Sequence, residues 1–239
     1  MTDTAIEPAT TEVETWLSRF DQALTAGDSA AASELFLDDS YWRDLVAFTW
    51  NLKTVEGPAG VRDMLDHTLA HTKPRHWAVT EPPATAEGVT EAWLEFETEV
   101  GRGTGHLRLK DGRAWTLLTT LDELKGHEET TGPGRPMGAE HGARPERETW
   151  LEQREREARE LGYETQPEVV IVGGGQGGIA LAARLRQLGV PTIIVERNER
   201  PGDSWRKRYK TLCLHDPVWY DHLPYLKFPE IWPVFSPKD

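Results

Sequence analysis

The feature that most constrains this chain is a run of five glycines in six positions, Gly173-Gly174-Gly175-Gln176-Gly177-Gly178, placed directly after four aliphatic residues, Val169 to Val172. A short, continuous, β-branched run reads as a buried parallel strand. A glycine cluster this dense can continue neither a strand nor a helix, so the chain must turn there. Beyond it the spacing becomes helical: Gly178 to Leu188 carries Leu181, Ala182, Leu185 and Leu188 on one face, and Gly189 suits the stop. A second aliphatic strand, Thr192 to Val195, ends at Glu196. Strand, glycine turn, helix and strand in under thirty residues form a βαβ unit.

The glycines follow G-x-G-x-x-G spacing, and each has a physical task. Gly173 permits the tight turn, Gly175 lets the backbone approach a pyrophosphate, and Gly178 lets the helix pack closely on the sheet. The unpaired N–H groups and dipole of the helix N-terminus hold an anion even in an acidic protein. Glu196, 23 residues after Gly173, is placed to accept hydrogen bonds from the 2′ and 3′ hydroxyls of a ribose and to repel a 2′-phosphate. A site of this kind takes FAD or NAD, not NADP.

Past Glu196 the chain reads Arg197-Asn198-Glu199-Arg200-Pro201-Gly202-Asp203-Ser204-Trp205, then Tyr209, Leu212-Cys213-Leu214-His215-Asp216-Pro217, Leu223-Pro224 and Phe228-Pro229. This succession, from Val169 to Asp239, resembles the flavin-containing monooxygenases, and within them the YUCCA-like branch. There a Gly-x-x-Trp segment follows the second strand, and Leu-x-Leu-His-x-Pro and Phe-Pro segments come after it. The resemblance implies FAD-binding roles for Gly173, Gly175, Gln176, Gly178, Glu196, Arg197, Trp205, Arg206 and His215, with Trp205 over the flavin region. Asp203 departs from the family, which usually carries a second glycine at that position.

The resemblance also implies a reaction. NADPH reduces FAD, and the reduced flavin captures O2 as a C4a-peroxide that oxygenates a small organic substrate. The flavin carries that chemistry, so no catalytic side chain and no metal is assigned. NADPH is expected to bind through a downstream segment that these residues do not include. The chain therefore reads as the N-terminal portion of such an enzyme, with an incomplete α/β Rossmann-type FAD-binding domain, and is expected to bind FAD poorly and not to turn over NADPH. Disulfide reductases share the fingerprint but need a cysteine pair, and Cys213 is the only cysteine.

Upstream, Thr130 to Pro145 is too rich in glycine and proline for helix or strand and reads as a linker. A charged helix follows it over Glu146 to Leu161, with Trp150, Leu151, Ala158 and Leu161 as a narrow apolar stripe and Glu152–Arg156 and Glu155–Arg159 as i,i+4 pairs. Residues 10–129 then form one domain, 130–165 the linker and charged helix, and 166–239 the dinucleotide-binding part. In the first domain, Val13, Trp16, Leu17, Phe20 and Leu24 predict a helix, Ser29 to Leu37 a second and Tyr41 to Thr49 a strand. A helix over Gly60 to His71, with Val61, Met64, Leu65 and Leu69 on one face, precedes antiparallel strands. Among these, Asp111-Gly112 makes a two-residue hairpin turn.

That order resembles the NTF2-like (SnoaL-like) α+β cone, which usually encloses an apolar pocket. Trp42, Asp44, Trp50, His67, His71 and Trp77 are candidates to line it, with Asp44 or a histidine as proton carrier. Three readings stay open: a monooxygenase portion, a binding or dimerising NTF2-like module with a vestigial dinucleotide half, and an isomerase or dehydratase using Asp44 or His67. A homodimer through this domain is expected under the second. The net charge of −13 argues against a nucleic-acid surface, although residues 169–239 alone are net basic. No apolar stretch is long enough for a membrane span, and the start lacks a signal-like apolar core, so the cytoplasm is the expected location.

Overall fold

A computed structural model describes residues 3–138, 142 and 146–238, so that six residues of the expected linker, 139–141 and 143–145, lie outside the described ones. Contacts divide the chain into two units, Met1–Glu128 and Glu129–Asp239.

In the first unit, the five apolar residues at helical spacing are all buried on α1 (Asp3–Thr25). After α2 (Ser29–Ser33) come β1 (Phe36–Leu45), β2 (Leu52–Glu56), α3 (Gly57–Thr72), β3 (Arg75–Val79), β4 (Ala84–Ala86), β5 (Val89–Glu97), β6 (Gly101–Lys110) and β7 (Arg113–Leu124). They form one sheet in the order β2-β1-β7-β6-β5-β3, with β4 also on β5. Among the described residues of this sheet, only β1 and β7 pair in parallel. The hairpin turn is where the sequence places it: Lys110 pairs with Arg113, and Asp111 and Gly112 take φ of 52° and 72°.

Strand register sorts the side chains into rows. Trp42, Leu117, Leu107 and Ala92 stand opposite one another across β1, β7, β6 and β5, and join the residues of α1 and α3 in one buried cluster. The neighbouring row, Arg43, Leu118, His106 and Trp93, lies on the opposite face by strand alternation, with Trp93 50% exposed. Aromatic rings fill the interior. Trp16 stacks on Phe20 at 4.6 Å, Phe36 on Trp42 at 5.8 Å, and Trp77 on Phe96 at 4.4 Å between centroids. A side chain at Gly103 would meet the Phe96 ring at 2.7 Å, so that glycine makes room for the ring.

Two expected boundaries shift for identifiable reasons. The second helix stops at Ser33 instead of Leu37, because Leu35 accepts hydrogen bonds from Trp16 Nε1 and from the Ala114 N–H, and Phe36 pairs with Ala114 in the sheet. The strand expected over Tyr41 to Thr49 therefore starts earlier and ends at Leu45. Residues 46–51 are a turn: the Val46 N–H bonds to Asn51 C=O, and Val46 and Trp50 adopt φ of 60° and 53°. The left-handed conformation is costly for a β-branched residue, and the buried Asp44 carboxylate holds the turn in place.

The second unit opens with a 3₁₀ turn at Gly132–Gly134 and α4 (Trp150–Glu160). The expected Glu152–Arg156 pair is absent because Glu152 closes a capping box with Thr149, while Arg156 bonds to Glu148 and Glu160. The apolar stripe of α4 is not buried, Trp150 and Leu151 both being exposed. Next come β8 (Val169–Val172), α5 (Gln176–Gln187), β9 (Thr192–Val195) and the short α6 (Asp203–Arg206), with β8 and β9 parallel in a two-stranded sheet. Residues 212–218 run as an extended segment against 234–238, with Leu214 N–H on Ser236 C=O at 2.9 Å and Lys238 N–H on Leu212 C=O at 3.0 Å.

The expectation of a fully buried strand at β8 is corrected. Only Ile171 is buried, whereas Val170, Val172 and Val195 are exposed, Val172 by 88%. Strand alternation puts Val170 and Val172 on one face, and their register partners Ile193 and Val195 extend it. Leu181, expected on the inner face of α5, is exposed as well. The run of aliphatics reported sheet membership correctly, but two-sided burial also needs neighbours, and among the described residues that face lacks them.

Candidate functional site

The glycine loop is tied to both strands of the small sheet. Gly173 leaves β8 at a φ of 105°, and its N–H donates to Val195 C=O at 2.8 Å. Gly175 is the N-cap of α5, with extended backbone, so the helix opens at Gln176, two residues earlier than its apolar spacing suggests. The first-turn N–H groups of a twelve-residue helix therefore face away from its body at the loop.

The structure separates the glycines by what a side chain would meet. At Gly178 a Cβ would run into the Gly173 carbonyl and lie 3.3 Å from Ile171 Cγ2, so the loop and helix close on each other only because that position is bare. At Gly175 it would lie 3.2 Å from Ser204 Oγ. At Gly174 it would meet Glu196 Oε2 at 3.1 Å and Pro201 at 3.2 Å, a constraint the G-x-G-x-x-G pattern does not contain. Gly177 has open space. A cradle shaped by missing side chains fits the backbone approach of a pyrophosphate.

Glu196 links the far strand to this loop. Its Oε2 accepts the Gly174 N–H at 2.6 Å, and its Oε1 accepts the Asn198 N–H at 2.8 Å and Asn198 Nδ2 at 2.6 Å. These N–H bonds, chiefly those of Asn198 and Gly174, hold its carboxyl below the ordinary range, so it is ionised at neutral pH. Gly174 is gripped on its other side too, its C=O accepting the Gly202 N–H at 2.7 Å.

Asp203, the departure from the family pattern, is the buried centre of the following turn. It accepts Arg200 Nε at 3.1 Å and Arg206 Nη1 at 2.9 Å. Burial pushes its carboxyl up, but the hydrogen bonds from Arg206 and Arg200 outweigh this and leave it below the usual carboxylate value. Arg206 also donates to Pro201 C=O at 3.0 Å, so its guanidinium is committed to the turn. Neither Asn198 nor Asp203 was among the residues the sequence singled out as binding groups. Their only signal is a short polar side chain in a turn just past a nucleotide-type carboxylate.

The remaining candidates are more dispersed. Trp205 is half-buried on α6, while Gln176, within the glycine run, and Arg197, next to Glu196, are exposed. His215 is exposed on the extended segment, and no hydrogen bond among the described residues joins it to the glycine loop. In the first unit the expected pocket residues do not converge. Trp42 is buried, Trp50 is exposed, Trp77 packs between Phe20 and Phe96, and His67 and His71 lie exposed on α3, His67 Nδ1 2.7 Å from Asp63 C=O. Asp44 is wholly enclosed. It accepts the Phe48 and Thr49 N–H groups at 3.1 and 2.8 Å and the Thr49 and Thr119 hydroxyls at 2.7 and 2.9 Å. Thr119 in turn accepts Trp42 Nε1 at 2.9 Å. A carboxylate so used holds a turn and has no open position for a substrate proton.

Comparison with known proteins locates the similarity in the same stretch. Residues 171–227 match the NAD(P)-binding Rossmann-like domain. Indole-3-pyruvate monooxygenase YUCCA1 of Oryza sativa subsp. japonica is 39% identical over 98 residues, which is 41% of this chain and 20% of that protein. Among solved structures, a domain of unknown function with a cystatin-like fold from Nostoc punctiforme overlaps 51% of this chain and 80% of its own, at 12% identity and a TM-score of 0.41. An NTF2-like protein of unknown function from Cytophaga hutchinsonii overlaps 45% of this chain and 87% of its own, at 14% identity and a TM-score of 0.32. No helix among the described residues is long and apolar enough to cross a membrane. The chain spans about a fifth of the length of the curated relatives it matches, and over that part it is similar to the YUCCA indole-3-pyruvate monooxygenases through an NAD(P)-binding Rossmann-like segment.

Proposed function

We propose that residues 166–239 are the FAD-binding N-terminal portion of an NAD(P)H-dependent flavoprotein monooxygenase that oxygenates a small organic substrate. The observation that carries this reading is the closed circuit of β8, glycine loop, α5 and Glu196. Gly178 packs on Gly173, and the Gly174 N–H is held on the Glu196 carboxylate, which leaves the first turn of α5 beside an ionised ribose anchor. Similarity to proteins named indole-3-pyruvate monooxygenases supports the small organic substrate. Bound flavin would supply the redox and oxygen chemistry. The chain's own part is to hold the pyrophosphate on the N–H groups opening α5 and the ribose on Glu196. The negative charge of Glu196 disfavours a 2′-phosphate here, so NADPH would be the reductant held elsewhere.

A titration of the protein with FAD, followed by flavin fluorescence, tests this reading against Gly178→Ala as the control. Weak but saturable binding that the substitution weakens further is the expected result. Binding indifferent to the glycine loop would refute it.

The first unit is read as an NTF2-like cone used for association, since its enclosed Asp44 is committed to a turn and its interior is filled with rings. Its open sheet face, with Tyr41 and Trp93 exposed, is the surface for a homodimer. Sedimentation of the parent and of Trp93→Glu decides this, a dimer being expected only in the parent.

A further inference from the structure

A carboxylate has about four lone-pair positions for hydrogen bonds. In Glu196 both positions on Oε1 are taken by Asn198, through its N–H at 2.8 Å and Nδ2 at 2.6 Å. One position on Oε2 is taken by the Gly174 N–H at 2.6 Å. The bonds of hydrogen-bond geometry therefore leave one acceptor position, on Oε2, while the Arg197 N–H acts on the carboxylate without making such a bond. The orientation of the Asn198 amide is fixed from its other end. Lys207 Nζ can only donate, and it lies 2.9 Å from Asn198 Oδ1, which turns Nδ2 toward Glu196. Lys207 is itself held 3.8 Å from the buried Asp203.

We infer that Glu196 accepts one ribose hydroxyl, not the pair, and that Asn198, set by Lys207, is the positioning residue that enforces this by filling Oε1. The inference rests on the dinucleotide reading proposed above. It adds a specificity that the G-x-G-x-x-G pattern and its terminal acid do not contain. An unencumbered carboxylate would take both hydroxyls, and loss of either would then weaken binding. Here the two hydroxyls are unequal: one meets the free position on Oε2 and the other has no acceptor on Glu196. Removing the Asn198 side chain returns a position on Oε1 and makes the second hydroxyl count.

The test uses the 239-residue protein with ADP, 2′-deoxy-ADP and 3′-deoxy-ADP at millimolar concentrations, read from the Gly174 amide in ¹⁵N–¹H spectra. In the parent, one deoxy analogue binds about tenfold or more weakly than ADP, the scale of a lost hydrogen bond to a charged group, and the other binds like ADP. In Asn198→Ala both analogues are weakened. In Lys207→Met, at an exposed position, the profile moves the same way by a smaller factor. A purely structural role for Asn198 would lower all three affinities together and leave their ratios unchanged. Equal loss for both analogues in the parent, no loss for either, or ratios unmoved by both substitutions would overturn the inference while ADP binding stands. If ADP leaves the glycine-loop amides unperturbed, the dinucleotide reading falls and takes the inference with it.

Discussion

Two adjacent glycines offer a matched experiment. Gly177 and Gly178 both lie within α5, and neither has a positive φ, so alanine is compatible with the backbone at each. On helix propensity alone, alanine gains up to about 1 kcal/mol over glycine. At Gly177 nothing lies within 4 Å of the new methyl, and that gain is unopposed. At Gly178 the methyl would overlap the Gly173 carbonyl and press on Ile171 Cγ2 at 3.3 Å. Backbone sits on both sides of the clash, so a side-chain rotation cannot relieve it. The start of α5 must move off β8, and overpacking of this kind costs about 1–3 kcal/mol. The propensity terms cancel between the variants, leaving a difference of about 1–3 kcal/mol in the local stability of β8 and the loop. Amide exchange at β8 and β9 measures it, since 1.4 kcal/mol corresponds to about tenfold in an opening equilibrium. Protection that falls in Gly178→Ala and holds in Gly177→Ala is expected, with ADP binding following the same order. Equal protection in both variants would refute the close-packing argument and leave the G-x-G-x-x-G spacing without a steric basis here.

Other consequences follow from the same geometry. Asp44→Ala leaves four buried or part-buried donors without this acceptor and should destabilise the first unit by about 3–5 kcal/mol, while Asp44→Asn, which keeps one accepting oxygen, should cost about 2 kcal/mol. Urea unfolding read through exchange of the Trp42 indole N–H checks both, and a neutral Asp44→Asn would reopen a catalytic role. Because the folded carboxyl of Glu196 lies below its ordinary value of 4.5, its contribution to stability and to ADP binding is present above about that pH and is lost as pH falls through the folded value. A Gly174 amide shift in the ligand-free protein that is flat down to about pH 4.5 and moves below it is expected, and a transition beginning near pH 6 would contradict the assignment. Arg102 lowers Glu128 to about 2, so carboxyl NMR should find Glu128 still ionised where ordinary glutamates have taken up a proton. Thr149→Ala breaks the α4 capping box and should cost about 1 kcal/mol of local helix stability, visible as fraying of its first turn in exchange.

What could be read from the sequence was what depends on local spacing. The faces of α1 and α3, the Asp111-Gly112 hairpin and the strand, loop, helix and strand around Gly173 all follow from side-chain periodicity or from turn chemistry. Less legible was whatever depends on a distant partner. Leu35 and Phe36 leave the second helix because Trp16 and Ala114, far off in sequence, claim them. Asp44 looks like an available acid until Thr119 on β7 and the turn at Phe48 are seen to enclose it. The aliphatic run of β8 promises burial, yet burial belongs to whatever packs on the strand.

The same division explains the candidate site. Gly173, Gly175, Gly178 and Glu196 can be picked out because each answers to a backbone or ligand geometry that few residue types satisfy. Gly174 and Asn198 cannot, because their importance arises only when the turn after β9 folds back on the loop: Gly202 N–H reaches Gly174 C=O, and Asn198 reaches Glu196. With one face of the β8–β9 pair exposed, the sheet contributes little apolar burial to holding the loop. The order of the loop then rests on this short polar network, in which the ribose anchor is also a structural brace. Ligand affinity and loop rigidity are therefore coupled through one carboxylate, and any change that frees Glu196 for the ribose also loosens the backbone that must receive the pyrophosphate.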